Sequence, residues 1–502
     1  MAMAMASVEK SALLKLGFFP GLAARSPSPA TTSKRRWRSG SFFRQQQMHV
    51  QAKVGAGLDL RQWVQQQGGF VWDGVGVVQS SREGVGLVAA KPLAAGTTII
   101  ALPHHLPLSF PPLQQPHSLS TSDALLLGLA QKVPEQLWSV RLGLKLLAER
   151  AKEGSFWWPY IRMLPQTFSI PIFFSGQQIN ELHYPPVVQQ VKKRCRFLLQ
   201  FSTEVNKATE NVLGENHPFQ EQQVDASSLG WAMAAVSSRA FRTYNLMGTD
   251  NAMMLPLIDL CNHSFQPTAR ILQDLTLAKT EKFIEVVTEE KLEVGTPISL
   301  NYGALSNDVL LMDYGFIVAQ NLHDRVELKF DGLLLDAARF AAGLYQSNSV
   351  SFSSPAPWQL PILAKLNLVG SNASLQVMLG GPDHVDGRLL AALRVLYAED
   401  PADLQNIDLI TLQTWKVATP LGLDIERKVL KTLSALSAVV LNYFPTTIQD
   451  DKDVLVKEDS SSTKHLITLF CHEKKRLLVN VMAGLKSRVS SLGKIDNVPQ
   501  MG

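Results

Sequence analysis

The sequence predicts an α+β chain: a β-rich domain split by a helical insert, followed by an all-α C-terminal lobe. Three observations predict it. Short runs rich in β-formers, separated by Gly, Pro and Asp, fill residues 57–110 and return between 254 and 300. Between them, residues 121–245 place apolar residues at helical spacing. From about residue 325 onward, helical stripes dominate. The expected organisation is a leader over 1–54, a β-rich domain over 55–320 with its insert at about 112–235, and a helical lobe over 325–490.

The β-rich part opens with Phe70-Val71-Trp72, then runs at 75–78, 86–90 and 97–102. Residues 111–120, rich in Pro and Ser, read as a loop. Leu137, Val140, Leu144, Leu147 and Ala148 then recur as one helix face, and 165–171 interrupts as an extended piece between prolines. Helix is expected again at 178–182, 187–210 and 226–241, and strand at 254–257, 269–273, 283–287 and 297–300. In the C-terminal lobe, Leu389, Leu390, Leu393 and Leu396 form one apolar stripe. Val429, Leu433, Leu436 and Val440 form a second, and Leu477, Val481 and Leu485 a third. Such stripes mark helix faces turned to a core. Residues 446–463, with Asp450-Asp451-Lys452-Asp453 and Ser460-Ser461-Ser462, are expected as an exposed loop.

Composition narrows the class. Of the 502 residues, 46% are hydrophobic and 18% charged, as in ordinary globular chains. No run of about 18 apolar residues suggests a membrane span. Cys195, Cys261 and Cys471 are too scattered for a disulfide framework or a CxxC metal pair, which fits a reducing compartment. The net charge of +5 is unevenly placed: before Asp59, nine basic residues face the single acid Glu9, a net +8, so the remainder carries −3. That remainder has no general field for nucleic acid. The leader itself is rich in Ala, Ser and Arg and nearly free of acid, the composition of an organelle transit peptide. A disordered tail, or a nuclear signal built on Lys34-Arg35-Arg36-Trp37-Arg38, are the other readings. The Ser, Thr and Pro content of residues 26–33 favours a plastid over a mitochondrion.

Singly, the chemical motifs are weak. Glu83-Gly84-Val85-Gly86-Leu87 has a Gly-x-Gly core that allows close backbone approach, but no third glycine opens a helix as in a dinucleotide site. Asn262-His263-Ser264 also spells a glycosylation sequon. Asp259, Cys261 and His263 alternate along one short segment and lack a second ligand pair, so no metal is expected. Order gives them weight. The Gly-x-Gly comes first, then the helical insert, then Ser238-Arg239-Ala240-Phe241 and the run from Leu255 to Ser264. Next come Ile298-Ser299-Leu300-Asn301-Tyr302-Gly303 and Asp313-Tyr314-Gly315-Phe316.

This series resembles the SET domain, and is most similar to the plastid Rubisco large-subunit lysine methyltransferases and their relatives. The likeness spans roughly residues 57 to 490 and is most specific between 231 and 318. It implies a β-rich fold in which the Asn262 segment and the segment after Asn301 pass each other in a pseudoknot. It also implies S-adenosylmethionine as cofactor. By that resemblance Glu83, Gly84 and Val85 line the methionine end, and Asn262 and His263 hold the amino-acid and adenine parts. Arg239 sits by the cofactor carboxylate and the substrate, and Phe316 packs on adenine. The resemblance also implies that Tyr302 is the catalytic tyrosine and that Asp259 and Tyr314 line a lysine channel with Phe241. Phe156-Trp157-Trp158-Pro159-Tyr160 resembles a packing corner of the family and is expected to be structural.

The implied reaction suits these residue types. A lysine amine, with an ordinary pKa near 10.4, must be neutral to attack, and a narrow dry channel disfavours its charged form. Alignment then supplies on the order of 7–11 kcal/mol. Some relatives methylate histidine in actin and carry Asn two residues after the matching arginine; Phe241 stands there instead, an apolar wall suited to an alkylamine. No zinc-type cysteine cluster follows residue 316, which points away from histone substrates. The expected partner is a stromal protein such as the Rubisco large subunit or aldolase, docked on the helical lobe; no nucleic acid or membrane is expected. The competing readings are a non-catalytic SET scaffold of the plastid, or a nuclear or cytosolic methyltransferase.

Overall fold

The computed structural model describes residues 60–80, 84–110, 120–244, 250–273, 283–345, 351–459 and 462–495. The leader over 1–54 and Glu83 lie outside them.

Twelve strands are described: β1 (Phe70–Val71), β2 (Val75–Ser80), β3 (Gly84–Ala89), β4 (Thr98–Pro103), β5 (Ala240–Tyr244), β6 (Asp250–Met254), β7 (Asn262–His263), β8 (Ala269–Gln273), β9 (Phe283–Thr288), β10 (Pro297–Leu300), β11 (Arg325–Lys329) and β12 (Gln376–Gly380). They form two four-stranded sheets, ordered β1-β4-β9-β8 and β2-β3-β10-β7, and two two-stranded sheets, β5-β6 and β11-β12. Each four-stranded sheet thus joins strands from before and after the helical insert. Within the second sheet, β7 and β10 run parallel, with Ser299 opposite Asn262 and Leu300 opposite His263. The other edge of β10 pairs antiparallel with β3, setting Ile298 opposite Leu87. A two-residue strand held in parallel register places Asn262-His263 beside the chain that leads into Tyr302.

The insert packs the helix Trp138–Ala151 on the helix Ala226–Arg239, both largely buried. These helices and the two sheets share one core, from Leu60 and Val64 through Leu144 and Val236 to Leu300. A second core fills the C-terminal lobe, around Leu389, Leu393, Leu433, Phe470 and Val481. The three stripes expected there lie on the helices Gly387–Tyr397, Leu423–Leu441 and Thr463–Ile495. Lys474 ties the lobes: it is fully buried, with Nζ 2.7 Å from both Asp308 and Asp324. An ammonium taken from water without such partners would cost several kcal/mol.

Five local expectations change. Residues 60–66 are helical rather than extended, because Leu60, Trp63 and Val64 form one buried helix face. The helix expected to 241 ends at Arg239; Ala240 is already extended, and Phe241 belongs to β5, opposite Met253. The strand expected over 254–257 stops at Met254, and Leu257 takes a left-handed φ of 71°. The loop expected over 446–463 contains the helix Ile448–Lys457, whose capping box pairs Thr447 with Asp450. The lobe expected as all-α is helical apart from β11 and β12, whose alternating Val326, Leu328, Val377 and Leu379 are buried against it.

Candidate active site

The site grows from a strained corner. Leu257, in its left-handed conformation, turns the chain into the single 3₁₀ turn Ile258–Leu260, and β7 follows directly. That corner presents the Cys261 carbonyl, and the Tyr302 hydroxyl donates to it at 2.6 Å. The Tyr302 amide donates to His263 Nδ1 at 3.2 Å, so the residue after β10 is fastened to β7 by both main chain and side chain.

An aromatic wall surrounds this crossing. Tyr302 stacks on Tyr314 with ring centres 5.2 Å apart and planes at 27°. His263 lies 5.1 Å from Tyr302, 6.2 Å from Phe316 and 4.5 Å from Phe265. Phe316 closes the series at 6.0 Å from Tyr314. Tyr314 ends a π-helical turn, Leu310–Tyr314, that stops at Gly315 with φ 78°. Any side chain at Gly315 would be strained and would sit 2.9 Å from the Ser169 carbonyl. The turn is fixed from the insert: Arg194 pairs with Asp313 at 2.6 Å, and the Ser237 hydroxyl donates to the Asp313 carbonyl.

Beside the wall lies a buried polar group. Arg239 Nη1 donates to Asp259 Oδ2 at 3.2 Å and to its carbonyl at 3.3 Å, and the Tyr160 hydroxyl donates to the same Oδ2 at 2.7 Å. Arg239 Nε, Asp259 Oδ1 and His263 Nε2 are buried without a protein partner. Buried polar atoms normally find one, so three orphans around one corner point to a polar ligand. The Gly-x-Gly segment reaches the same place: a methyl group at Gly86 would come within 2.8 Å of Asn262 Nδ2. Gly84 and Val85 open β3 just before it.

Burial sets the protonation states. It pushes the Tyr302 hydroxyl far above its ordinary value and, with the Asp313 charge, lifts Tyr314 to about 12. Both therefore stay neutral donors. Burial raises the Asp259 carboxyl, opposed by Arg239 and Tyr160. For Arg239, burial is the largest influence and acts downward, but the Asp259 charge and hydrogen bond together with Tyr160 and Tyr302 outweigh it, so the guanidinium stays charged. Burial lowers His263, and the Leu300 backbone partly offsets this.

The structure therefore brings together Arg239, Asp259, Asn262, His263, Tyr302, Tyr314 and Phe316, with Gly84 and Val85 at the Asn262 edge. Phe241 is half-buried two residues beyond Arg239; among the described residues its ring meets neither Tyr302 nor Tyr314. Two participants were not expected from the sequence. Phe265 packs on His263, a contact its adjacency to the Asn-His motif could have suggested. Tyr160, expected as core packing, reaches Asp259 from 99 positions away, and no local signal marks it.

Comparison with known proteins agrees with this geometry. The SET domain family matches residues 84–303, and the family described as Rubisco LSMT substrate-binding matches residues 351–478. The chain carries a SET domain followed by a Rubisco LSMT substrate-binding domain. Curated relatives include actin-histidine N-methyltransferases of Callithrix jacchus, 24% identical over 430 residues, and Xenopus tropicalis, 26% identical over 418. The alignments cover 84% and 80% of this chain but 66% and 65% of the relatives, so the chain spans just under two thirds of their length. A solved structure of the SET domain of LSMT bound to lysine and AdoHcy superposes with a TM-score of 0.62 at 19% identity, covering 89% of this chain and 93% of that one. Rubisco LSMT bound to AdoMet superposes at 0.58 with 18% identity, over 89% and 97%. At these identities the likeness establishes a shared SET fold with its C-terminal lobe.

Proposed function

We propose that this chain is an S-adenosylmethionine-dependent protein methyltransferase that acts on the ε-amine of a lysine in a chloroplast stromal protein. The observation that carries the reading is the 2.6 Å bond from the Tyr302 hydroxyl to the Cys261 carbonyl, inside an aromatic wall and next to three orphaned polar atoms.

The residues present fit the cofactor. Arg239 Nε is a buried cationic donor for a carboxylate, and His263 Nε2 and Asp259 Oδ1 are further unused polar atoms. The bare Gly86 lets the Asn262 amide lie directly against β3, and Phe316 offers a ring face for a purine. S-adenosylmethionine supplies a methyl group already activated on a sulfonium. What this chain contributes is placement. Tyr302 and the Cys261 carbonyl fix one hydroxyl and one carbonyl oxygen at a set spacing, able to orient an amine without competing as nucleophiles. Tyr302 and Tyr314 stay protonated, so neither adds a negative charge that would hold the amine as ammonium. Their stacked rings would cover one side of an amine bound beside them.

By its sequence position alone, two residues after Arg239, Phe241 supports a lysine acceptor, since an apolar side chain offers no hydrogen bond to an imidazole. The curated relatives' activity on actin histidine supports the second reading, a histidine acceptor. The acid-poor leader supports import into a plastid. Incubating the full chain with methyl-labelled cofactor and stromal extract tests the proposal. Label recovered as ε-N-methyllysine in one protein is the expected result; methylhistidine would move the acceptor, and no labelled protein despite cofactor binding would leave a scaffold. A fluorescent fusion found in the nucleus would overturn the location.

A further inference from the structure

We infer that Tyr160 is a positioning residue of this site, holding Asp259 so that Arg239 and the Cys261 carbonyl face the ligands correctly. The inference rests on the methyltransferase reading above and adds a residue to it.

Tyr160 is only 1% exposed and its hydroxyl points at a carboxylate whose side chain is wholly buried. It sits on the short helix Trp158–Ile161, anchored where Trp157 Nε1 donates to the Leu106 carbonyl at 3.0 Å. The corner is therefore rigid before it touches Asp259. From Asp259 two paths lead to the site. One runs through Oδ2 to the Arg239 guanidinium, whose Nε remains unused. The other runs along the 3₁₀ turn to Cys261, the acceptor for Tyr302. One hydroxyl thus steadies both the cationic donor and the carbonyl of the amine-binding pair.

The titratable groups facing Asp259 among the described residues are Arg239, Tyr160, Cys261 and Tyr302. Arg239 first, then the Tyr160 hydroxyl, and last a backbone hydrogen bond at Asp259 itself favour its charged form. Removing the Tyr160 hydroxyl leaves burial opposed by Arg239 and that backbone bond, so Asp259 takes up a proton at higher pH and its hold on Arg239 loosens.

The test compares wild type with Tyr160→Phe, which keeps the ring. S-adenosylhomocysteine affinity is measured by calorimetry across pH, beside the pH–rate profile of methyl transfer. The expected result is a loss of affinity on the order of tenfold at mildly acidic pH that shrinks toward alkaline pH. The acid limb of the rate profile should move upward with it. A lowered melting temperature with both profiles superimposed on wild type would mean a merely structural residue and overturn the inference. Should Tyr160→Phe fail to fold, 3-fluorotyrosine at position 160 decides: its more acidic hydroxyl donates more strongly and must move the acid limb of both profiles to lower pH, and an unmoved acid limb overturns the inference. A wild type that binds the ligand but transfers no methyl group would refute the function while the binding profiles still judge Tyr160. One that binds no ligand overturns both.

Discussion

The Tyr302 hydroxyl donates to the Cys261 carbonyl at 2.6 Å across 41 positions of sequence, and this contact joins the two segments that form the site. It exists because β7 and β10 run parallel in register, so the residues flanking each strand emerge side by side. A tyrosine held in this way is both a strut and an available oxygen.

Tyr302→Phe separates these roles. The ring keeps its stack on Tyr314, so the loss in stability should be about 1 kcal/mol, the worth of one hydrogen bond. Turnover should fall on the order of 10²-fold or more, as when one preorganised hydroxyl is removed from a reacting centre. Cofactor affinity should stay near wild type. Steady-state kinetics with calorimetry and a thermal melt measure all three; unchanged turnover would remove Tyr302 from the reaction.

Gly86→Ala probes the other edge. The added methyl would press on Asn262 Nδ2 at 2.8 Å, and Asn262 must shift to relieve it. The clash is with the tip of a side chain rather than with backbone, so it costs little stability while displacing the Asn262 amide. S-adenosylhomocysteine should bind roughly tenfold more weakly, read by titration calorimetry, with the melting temperature less affected.

Arg239→Met leaves Asp259 buried with Tyr160 as its remaining side-chain partner. Breaking a buried pair from one side costs about 3–5 kcal/mol, whereas neutralising both partners is much cheaper. The single variant should therefore melt well below wild type. The double variant Arg239→Met with Asp259→Asn should recover part of the loss, because the introduced amide carries no charge and its oxygen still accepts from Tyr160. Chemical denaturation of all three proteins checks the order.

Much of this arrangement was legible in the sequence, and the reason is local. Asn262 and His263 are neighbours, Tyr314 and Phe316 flank one glycine, and Arg239 ends a helix that runs into a strand; short motifs keep such residues together. The helical stripes of the C-terminal lobe were legible because one face of each helix is buried. What stayed hidden depends on distant contacts or on backbone conformation. Nothing around Tyr160 distinguishes a hydroxyl aimed at Asp259 from one facing any core acceptor. Leu257 gives no hint of a left-handed turn, which sequence reading assigns to Gly or Asn. The Asp-rich stretch at 450–453 looked solvated and loop-like, yet Thr447 and Asp450 cap a helix and the neighbouring Asp451 is buried against Lys475.

The half-buried Asp308, whose Oδ1 is shielded from solvent, gives a pH signature. Burial raises its carboxyl to about 6, against the pull of Lys474 and with the Asp324 charge adding to the rise. Its unfolded value is about 3.9. Between these values the folded chain binds the extra proton, so this contribution to stability is full below about pH 4 and is lost as pH rises through 6. Wild type should lose a few degrees of melting temperature relative to Asp308→Asn between about pH 4 and 6, and the difference should level off above that. A flat difference across this window would contradict the assignment.

The most direct test of the central claim is the chemical identity of the methylated residue. The full chain is incubated with methyl-labelled S-adenosylmethionine and stromal extract, and the labelled protein is hydrolysed to amino acids. The account predicts ε-N-methyllysine as the labelled product, strongly diminished when Tyr302→Phe replaces wild type. Label in methylhistidine, or label that persists undiminished with Tyr302→Phe, would contradict it.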